Sequence, residues 1–415
     1  MIRLLLPLIC YVLLIVYGSL YPFTGWRWPD DHTAIILQGW WPQHISRGDL
    51  ITNLLAYFPL GYLLSRALPG RLNGFAAVAW TTVLGTFLSA GIEVMQIFLP
   101  QRQSSLSDIV LNSISTLIGA FLAWGMGERT LLGGRLRALR REWFLQGRLT
   151  DIGLAALGLW ALSQLVPLVP SLDVDNLKEG LKPLWYTLHG STVFNRHEAV
   201  IYALNILALG GIVALVVKNE RWVTVPFAMF ASMVLLLKIP VVGRQISLEA
   251  IAGLFGGLIL LCFLRRLPRP FLSIVAATAI LAAFVIDELR PAADSHGELH
   301  VFNWVPFSGQ MVNVMGLASI IEELWPFTAL AFLTLVMRPR YRLAVGTMLG
   351  LLLAVSVFAL EWAQQQIPGR YPDVTSVLLA VIGWTVPWLF VDLGAQHDLP
   401  AIRLRQKVER HYPSI

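Results

Sequence analysis

Residues 74–99 read GFAAVAWTTVLGTFLSAGIEVMQIFL, and this stretch decides the fold class. It contains one charged side chain, Glu93. A helix needs about 20 apolar residues to cross a hydrocarbon core that is ~30 Å thick. The stretch therefore predicts a transmembrane helix with a carboxylate inside it.

The rest of the chain repeats this pattern. Of 415 residues, 56% are hydrophobic and 13% are charged, whereas soluble proteins usually carry about 25% charged residues. Including 74–99, twelve apolar runs predict an all-α, polytopic transmembrane helical bundle of about 12 helices. The other runs lie at about 4–20, 51–68, 108–126, 152–169, 199–217, 222–239, 246–264, 271–289, 311–337, 343–366 and 374–391.

Lysine and arginine are distributed unevenly around these runs. With a cytoplasmic amino terminus, 21 of the 31 fall in cytoplasmic segments and 9 in outer segments. Because cytoplasmic loops are rich in these residues, the pattern predicts that both termini are cytoplasmic. The net charge of +6 arises from the same short clusters, so no nucleic-acid partner is predicted.

Sequence landmarks divide the helices into three sets of four. Sets one and three share Glu-x-x-Gln-x-x-x-Pro-x-Arg, as Glu93, Gln96, Pro100 and Arg102, and as Glu361, Gln364, Pro368 and Arg370. Set two keeps Pro240 and Arg244, with Met233 interpreted as the counterpart of the glutamates. An asparagine near the start of the second helix also recurs, as Asn53, Asn205 and Asn313.

We interpret the sets as three parallel copies of one four-helix unit, called repeats 1 to 3 below. The boundaries follow the basic loops. Repeat 1 covers 1–127, a basic cytoplasmic linker covers 128–150, a degenerate repeat 2 covers 151–266, repeat 3 covers 267–393, and a cytoplasmic tail covers 394–415.

The recurring polar residues form the candidate site. Glu93 lies seven residues before Pro100, which places its carboxylate roughly 10 Å below the outer end of its helix. Gln96 shares its helix face, and Arg102 lies at the mouth. Two interpretations remain open: these groups pair within their own repeat, or they line an outward-opening cleft for a polar or anionic group.

Asp108 and Asp373 follow the arginines at the start of the next helix, where capping is the simplest role. The asparagines suit either helix packing or ligand contact. The candidate substrate-binding residues are thus Glu93, Gln96, Arg102, Asp108, Asn53, Glu361, Gln364, Arg370, Asp373 and Asn313.

No cofactor or metal is predicted, because the chain lacks a Walker loop, a nucleophile elbow and a dinucleotide fingerprint. The histidine-containing segment 294–300 has a spacing that a metal would accept, but it lies outside a predicted helix. Cys10 and Cys262 lie in apolar runs, so neither a disulfide nor a cysteine-ligated metal is predicted.

The motifs of residues 1–126 resemble the VanZ-like family of four-helix bacterial membrane proteins. The resemblance rests on Asp49-Leu-Ile-Thr-Asn53, on Glu93-Val-Met-Gln96 with Pro100 and Arg102, and on Ser107-Asp108 with Asn112 and Gly119. Residues 300–392 resemble the family again. The resemblance implies residence in the bacterial cytoplasmic (inner) membrane and a link to the cell envelope and to resistance against the glycopeptide teicoplanin.

Several functions are compatible with the sequence. The first hypothesis is an envelope protein that binds a lipid-linked glycan or cell-wall precursor at the outer leaflet. The second is a secondary transporter whose carboxylates carry protons. The third is an enzyme acting on a lipid-linked phosphate with Glu93 or Glu361 as general base, and it is disfavoured because no nucleophile is evident. A fourth is a pure assembly partner in the lipid bilayer.

Overall fold

The structure, a computed structural model, describes residues 2–28, 47–68, 74–102, 104–127, 130–219, 223–291, 298–310 and 314–391. Over these ranges the fold is all-α, as predicted, and comprises fourteen helices. Asn313, Asp294, His296 and the tail at 394–415 lie outside the described residues.

The chain divides into two compact units. The amino-terminal unit comprises Met1–Arg140 and Gly309–Gly316, and the carboxy-terminal unit comprises Arg141–Ser308 and Leu317–Ile415. The helices of the amino-terminal unit are α1 to α4, at Ile2–Leu20, Arg47–Ala67, Gly74–Gln96 and Leu106–Gly125, and α5 follows at Leu131–Trp143.

The carboxy-terminal unit holds the residues predicted to form repeat 2 and, apart from Gly309–Gly316, repeat 3. Its helices are α6 to α14, at Arg148–Leu165, Val174–Leu188, Arg196–Val216, Thr224–Leu237, Leu248–Leu264, Arg269–Leu289, Val314–Val336 from Leu317 onward, Arg342–Gln364 and Val374–Val391.

Among the described residues, seven helices are long and apolar enough to cross a membrane. They are α3, α4, α8, α11, α13, α14 and the part of α12 at Ala318–Val336. Shorter apolar helices lie at Leu8–Leu20, Thr224–Leu237 and Leu248–Leu264. The chain is a multi-pass membrane protein, and the count of twelve spans stays a prediction.

Two helices lie where the sequence predicted no span. The basic linker contains α5, and a loop that the sequence predicted to be outer contains α7. Both alternate charged and apolar side chains at helical spacing, so an apolar run of membrane-crossing length is absent from each. Leu131, Leu139, Trp185 and Leu188 are exposed along them, which is typical of helices that lie at a membrane surface.

Close helix crossings organise the amino-terminal unit. α2 and α4 meet through Gly61, which faces the backbone of Thr116, and Gly119, which faces the backbone of Phe58. A side chain at either glycine would overlap a carbonyl oxygen of the other helix. The missing side chains therefore let the two backbones approach closely, as small residues do at membrane helix interfaces.

In the carboxy-terminal unit, α8 is the central helix. Its residues Ile206–Ile212 are all buried. α10 packs on one side, where Gly253 and Gly257 face α8 between Ala199 and Ile206, and α11 packs where Gly211 meets Ala276. This packing fixes the first turns of α8 beside the last turns of α11, which positions the site described below.

Replacing Gly119 by alanine tests the α2–α4 crossing. We expect Gly119→Ala to destabilise the protein by about 1–3 kcal/mol, because the added methyl group overlaps Phe58 in a packed interface. Gly91→Ala in α3 is the matched control, since nothing lies within 4 Å of its added Cβ and alanine favours a helix over glycine by about 1 kcal/mol. Thermal unfolding in detergent measures both, and equal stability of the two variants would contradict the crossing.

Candidate functional site

Three arginines bind the end of a helix in the same way, one in each predicted repeat. The Nε group of each donates to the carbonyl oxygen of the residue that directly follows the first helix of its repeat: Arg102 to Tyr21 (3.0 Å), Arg244 to Val166 (2.6 Å) and Arg370 to Arg290 (2.9 Å). A helix carboxyl end leaves carbonyls without partners, and a cation there also complements the helix dipole.

The remaining guanidinium donors differ. Arg102 donates a second bond to Gly18 (2.9 Å), and Arg370 donates one to the carbonyl oxygen of Asp287. Arg244 instead forms an ion pair with Glu322 at 3.0 Å. Burial lowers the pKa of the Arg102 guanidinium, although arginine stays charged at neutral pH. In repeats 1 and 3 two nitrogens of the guanidinium group thus bind backbone oxygens.

Each arginine is followed three residues later by the N-cap of the next helix. These caps are Ser105, Ser247 and Asp373. The capping prediction is confirmed for Asp373, whose Oδ1 accepts from the backbone of Thr375 (2.7 Å) and Ser376 (3.2 Å).

The capping prediction is wrong for Asp108. Ser105 is the N-cap residue of α4, and an Asp108 carboxylate oxygen instead accepts a hydrogen bond from the Asn53 amide (2.9 Å). The sequence comparison paired Asp108 with Asp373 because both are aspartates, whereas their distances from the arginine differ by three residues. Asp108 in the first turn still complements the helix dipole.

Counting back from the arginine also changes the alignment of repeat 2. Glu93 and Glu361 lie nine residues before their arginines, and the residue nine before Arg244 is Leu235, which is buried, and not Met233, which is 61% exposed. The sequence comparison was anchored on Pro240, which stands two residues further from its arginine than the other prolines do. In the corrected register, Lys238 occupies the position of Gln96 and Gln364.

The two glutamates bind the start of the next helix. Oε2 of Glu93 accepts from the backbone N–H of Ser105 (2.7 Å), and Oε2 of Glu361 accepts from that of Asp373 (3.0 Å). Both are buried, with relative exposures of 6% and 4%. These bonds agree with the interpretation that the carboxylates pair within their own repeat.

The two glutamines bind the first helix of their repeat. Gln96 donates to the Ser19 carbonyl oxygen (2.9 Å). Gln364 donates to the backbone oxygen of Glu288 (3.3 Å) and to its carboxylate. In repeat 1, Glu93, Gln96 and Arg102 therefore each bind backbone groups of their own repeat.

A cavity of about 540 Å³ does open in the carboxy-terminal unit. Its walls are the last turns of α6, α11 and α13, the first halves of α8 and α12 and the first turn of α14, together with the turns after α9 and α13. The polar and charged side chains that line it are Ser163, Gln164, Glu198, Tyr202, Asn205, Lys238, Arg244, Asp287, Glu288, Arg290, Ser319, Glu322, Glu323, Glu361, Gln364, Arg370, Tyr371 and Ser376. Its volume lies in the range of small-molecule sites.

Lys238 is the buried cation of this cavity. It is 6% exposed, and its Nζ contacts the Tyr202 hydroxyl (3.1 Å) and the Gln164 Oε1 (3.4 Å). The ion pairs of the described residues include Arg244 with Glu322 and Arg290 with Asp287, but none with Lys238. Its hydrogen-bond partners are neutral, and the carboxylates of Glu198 and Glu322 lie within electrostatic range of it. Among the described residues no carboxylate is within ion-pair distance of its Nζ, so the ammonium can still bind an anion directly.

Another part of the lining is acidic. Glu323 lies within electrostatic range of Glu288, Glu361 and Asp373. Its Oε2 is buried and has no hydrogen-bond partner within the described part of the chain. Buried polar atoms are normally satisfied, and an unpaired oxygen beside other carboxylates is a position for a proton or a cationic donor.

The cavity unites three of the ten predicted site residues. Glu361, Gln364 and Arg370 line it together, as does Asn205, whereas Asp373 lies behind Glu361. The sequence analysis missed the contributions of Lys238, Glu288, Glu322 and Glu323, although each charge stands in or beside an apolar run. Such charges are the expected signal of a functional site in a membrane. The degenerate repeat 2 also contributes to the lining.

Arg102→Gln tests the helix-end contact of repeat 1. We expect a loss of about 1–3 kcal/mol in stability, because buried carbonyl oxygens lose charged donors. The stability of Arg102→Lys should lie between those of Arg102→Gln and wild type, because a single ammonium replaces a guanidinium with two donating nitrogens. Arg27→Gln is the control, since this side chain is exposed in the same unit. Thermal unfolding in nanodiscs measures the losses, and no difference between Arg102→Gln and Arg27→Gln would refute the role.

Residues 4–128 match a family model described as VanZ/LLP1. No curated protein and no solved structure matches the chain. The matched range covers α1 to α4 with their glutamate, glutamine and arginine, and this amino-terminal segment of the membrane protein is therefore VanZ-like.

Proposed function

We propose that this multi-pass membrane protein binds the polar headgroup of an envelope lipid or lipid-linked precursor in the cavity of the carboxy-terminal unit. In the orientation predicted from the Lys and Arg distribution, the cavity-lining turns lie at the outer ends of their helices. A headgroup of the outer leaflet would then reach the cavity from the side. The VanZ-like segment supports a role in the cell envelope, including glycopeptide resistance.

Lys238 is the observation that carries the proposal. An ammonium at 6% exposure loses most of its hydration, and a tyrosine hydroxyl with an amide oxygen replaces only part of it. A phosphate or carboxylate oxygen would supply the missing partner. The same position carries a neutral glutamine in the two other repeats, so the cation is specific to this cavity.

A secondary transporter is the second candidate, and the acidic wall favours it. Glu288, Glu323 and Glu361 lie close enough to influence one another, and neighbouring carboxylates share protons. Alternating occupancy by a proton and a substrate would use these groups. Substrate-dependent proton uptake into reconstituted vesicles, lost in Glu323→Gln, distinguishes a transporter from a binding protein.

Lys238→Gln tests the proposal. We expect about tenfold weaker binding of phosphatidylglycerol, because the variant loses a charge-assisted hydrogen bond worth about 1.5 kcal/mol or more. Native mass spectrometry of the delipidated protein, titrated with this lipid, measures the bound fraction.

Lys182→Gln is the matched control. Lys182 is exposed on α7 and pairs with Glu179 at 3.1 Å, so its loss should leave lipid binding unchanged. Equal lipid binding by Lys238→Gln, Lys182→Gln and wild type would reject a headgroup site at Lys238.

A further inference from the structure

The cavity lining contains two electrically different groups of side chains, carried by different helices. Lys238, Tyr202 and Gln164 form what we call the cationic pole, on residues of α6, α8 and the end of α9. Glu288, Glu323 and Glu361 form the acidic pole, on α11, α12 and α13. A ligand that enters this space meets both poles.

The arginines of the cavity offset the acidic pole only in part. Arg290 pairs with Asp287 at 2.9 Å, and Arg244 pairs with Glu322 at 3.0 Å. Arg370 and Arg290 lie within electrostatic range of Glu288, but the Nε and Nη2 donors of Arg370 bind the carbonyl oxygens of the α11 end. Over the described ranges, no ion pair within 4.0 Å involves any carboxylate of the acidic pole.

All three carboxylates have a hydrogen-bond donor. Glu361 accepts from the backbone of Asp373, Glu288 accepts from the Gln364 amide, and Glu323 accepts from the Ser376 hydroxyl. Glu323 differs in its Oε2, which is enclosed and has no hydrogen-bond donor in the described structure. A carboxylate only accepts hydrogen bonds. The position beside Glu323 Oε2 therefore suits a positively charged group that donates a hydrogen bond.

We infer that the ligand of this cavity is a zwitterion, with a phosphate or carboxylate bound at Lys238 and a primary ammonium bound at Glu323. This inference rests on the proposed function and narrows its substrate class. An ammonium carries three donors, so it can satisfy Glu323 and contact a second carboxylate of the acidic pole. The cavity volume of about 540 Å³ is suited to a headgroup with both charges and not to a single ion.

The test compares three phospholipids with identical acyl chains on the full-length protein by native mass spectrometry. We expect phosphatidylethanolamine to bind at least tenfold more tightly than phosphatidylglycerol, which lacks an amine. Phosphatidylcholine should also bind more weakly, because its quaternary ammonium has no N–H donor. This wild-type comparison does not depend on the folding of any variant.

Two variants locate the poles. Glu323→Gln should abolish the preference for phosphatidylethanolamine while phosphatidylglycerol binding is retained, and Lys238→Gln should weaken both lipids. Glu179→Gln is the control, because Glu179 is an exposed carboxylate on α7 and its loss should leave the preference intact.

The outcomes separate the inference from the proposed function. Lys238-dependent binding with equal affinity for phosphatidylglycerol and phosphatidylethanolamine would overturn the zwitterion and leave the headgroup site standing. Lipid binding that is independent of Lys238 would overturn both. A third outcome is that neither lipid binds, while soluble glycerophosphoethanolamine binds more tightly than glycerophosphoglycerol. That result would support a zwitterionic ligand but would make it a soluble molecule and not a lipid.

Discussion

The cost of placing a charge or an unpaired polar group in hydrocarbon is the constraint on which this structure depends. Such a group needs a partner within the protein, because lipid offers none. The chain meets the constraint with side chains that bind the exposed ends of its own helices. Arg102, Arg244 and Arg370 bind carboxyl ends, and Glu93 and Glu361 bind amino ends.

These contacts tie the helices of a repeat together at one end. An arginine after the third helix holds the first helix, and a glutamate within the third helix holds the fourth. Three equivalent arginine contacts support the proposed triplication of a four-helix unit, and the constant spacing to the cap at Ser105, Ser247 and Asp373 supports it further. Repeat 2 departs from this plan at two positions, Leu235 and Lys238.

One of those departures changes the charge of the cavity lining. In repeats 1 and 3 the glutamine binds the end of the first helix, and in repeat 2 a lysine stands in its place and extends to Tyr202 and Gln164. Its ammonium lies within electrostatic range of Glu198 and Glu322, while Glu323 and its neighbours make another part of the lining acidic.

The membrane class and part of the candidate site were predictable from the sequence, whereas the role of Asp108 and the cavity were not. Apolar runs identified the membrane class and the repeated motif identified Glu361, Gln364 and Arg370, because both signals are local. The alignment of Asp108 with Asp373 failed because residue identity was weighed above distance from the arginine. The cavity could not be predicted, since it depends on which turns of α6, α8, α11, α12 and α13 meet, and that is a property of packing.

Thiol accessibility tests most directly the central claim that a water-accessible site lies inside this bundle. The two variants are made in a chain with Cys10 and Cys262 replaced by serine. Ala283→Cys places a thiol in the cavity wall, and Ala279→Cys places one a turn away on α11, where it is similarly buried but outside the lining. We expect a small water-soluble thiosulfonate to modify Ala283→Cys in nanodiscs and to leave Ala279→Cys unmodified. Equal rates of modification at the two positions, or none at Ala283→Cys, would contradict it.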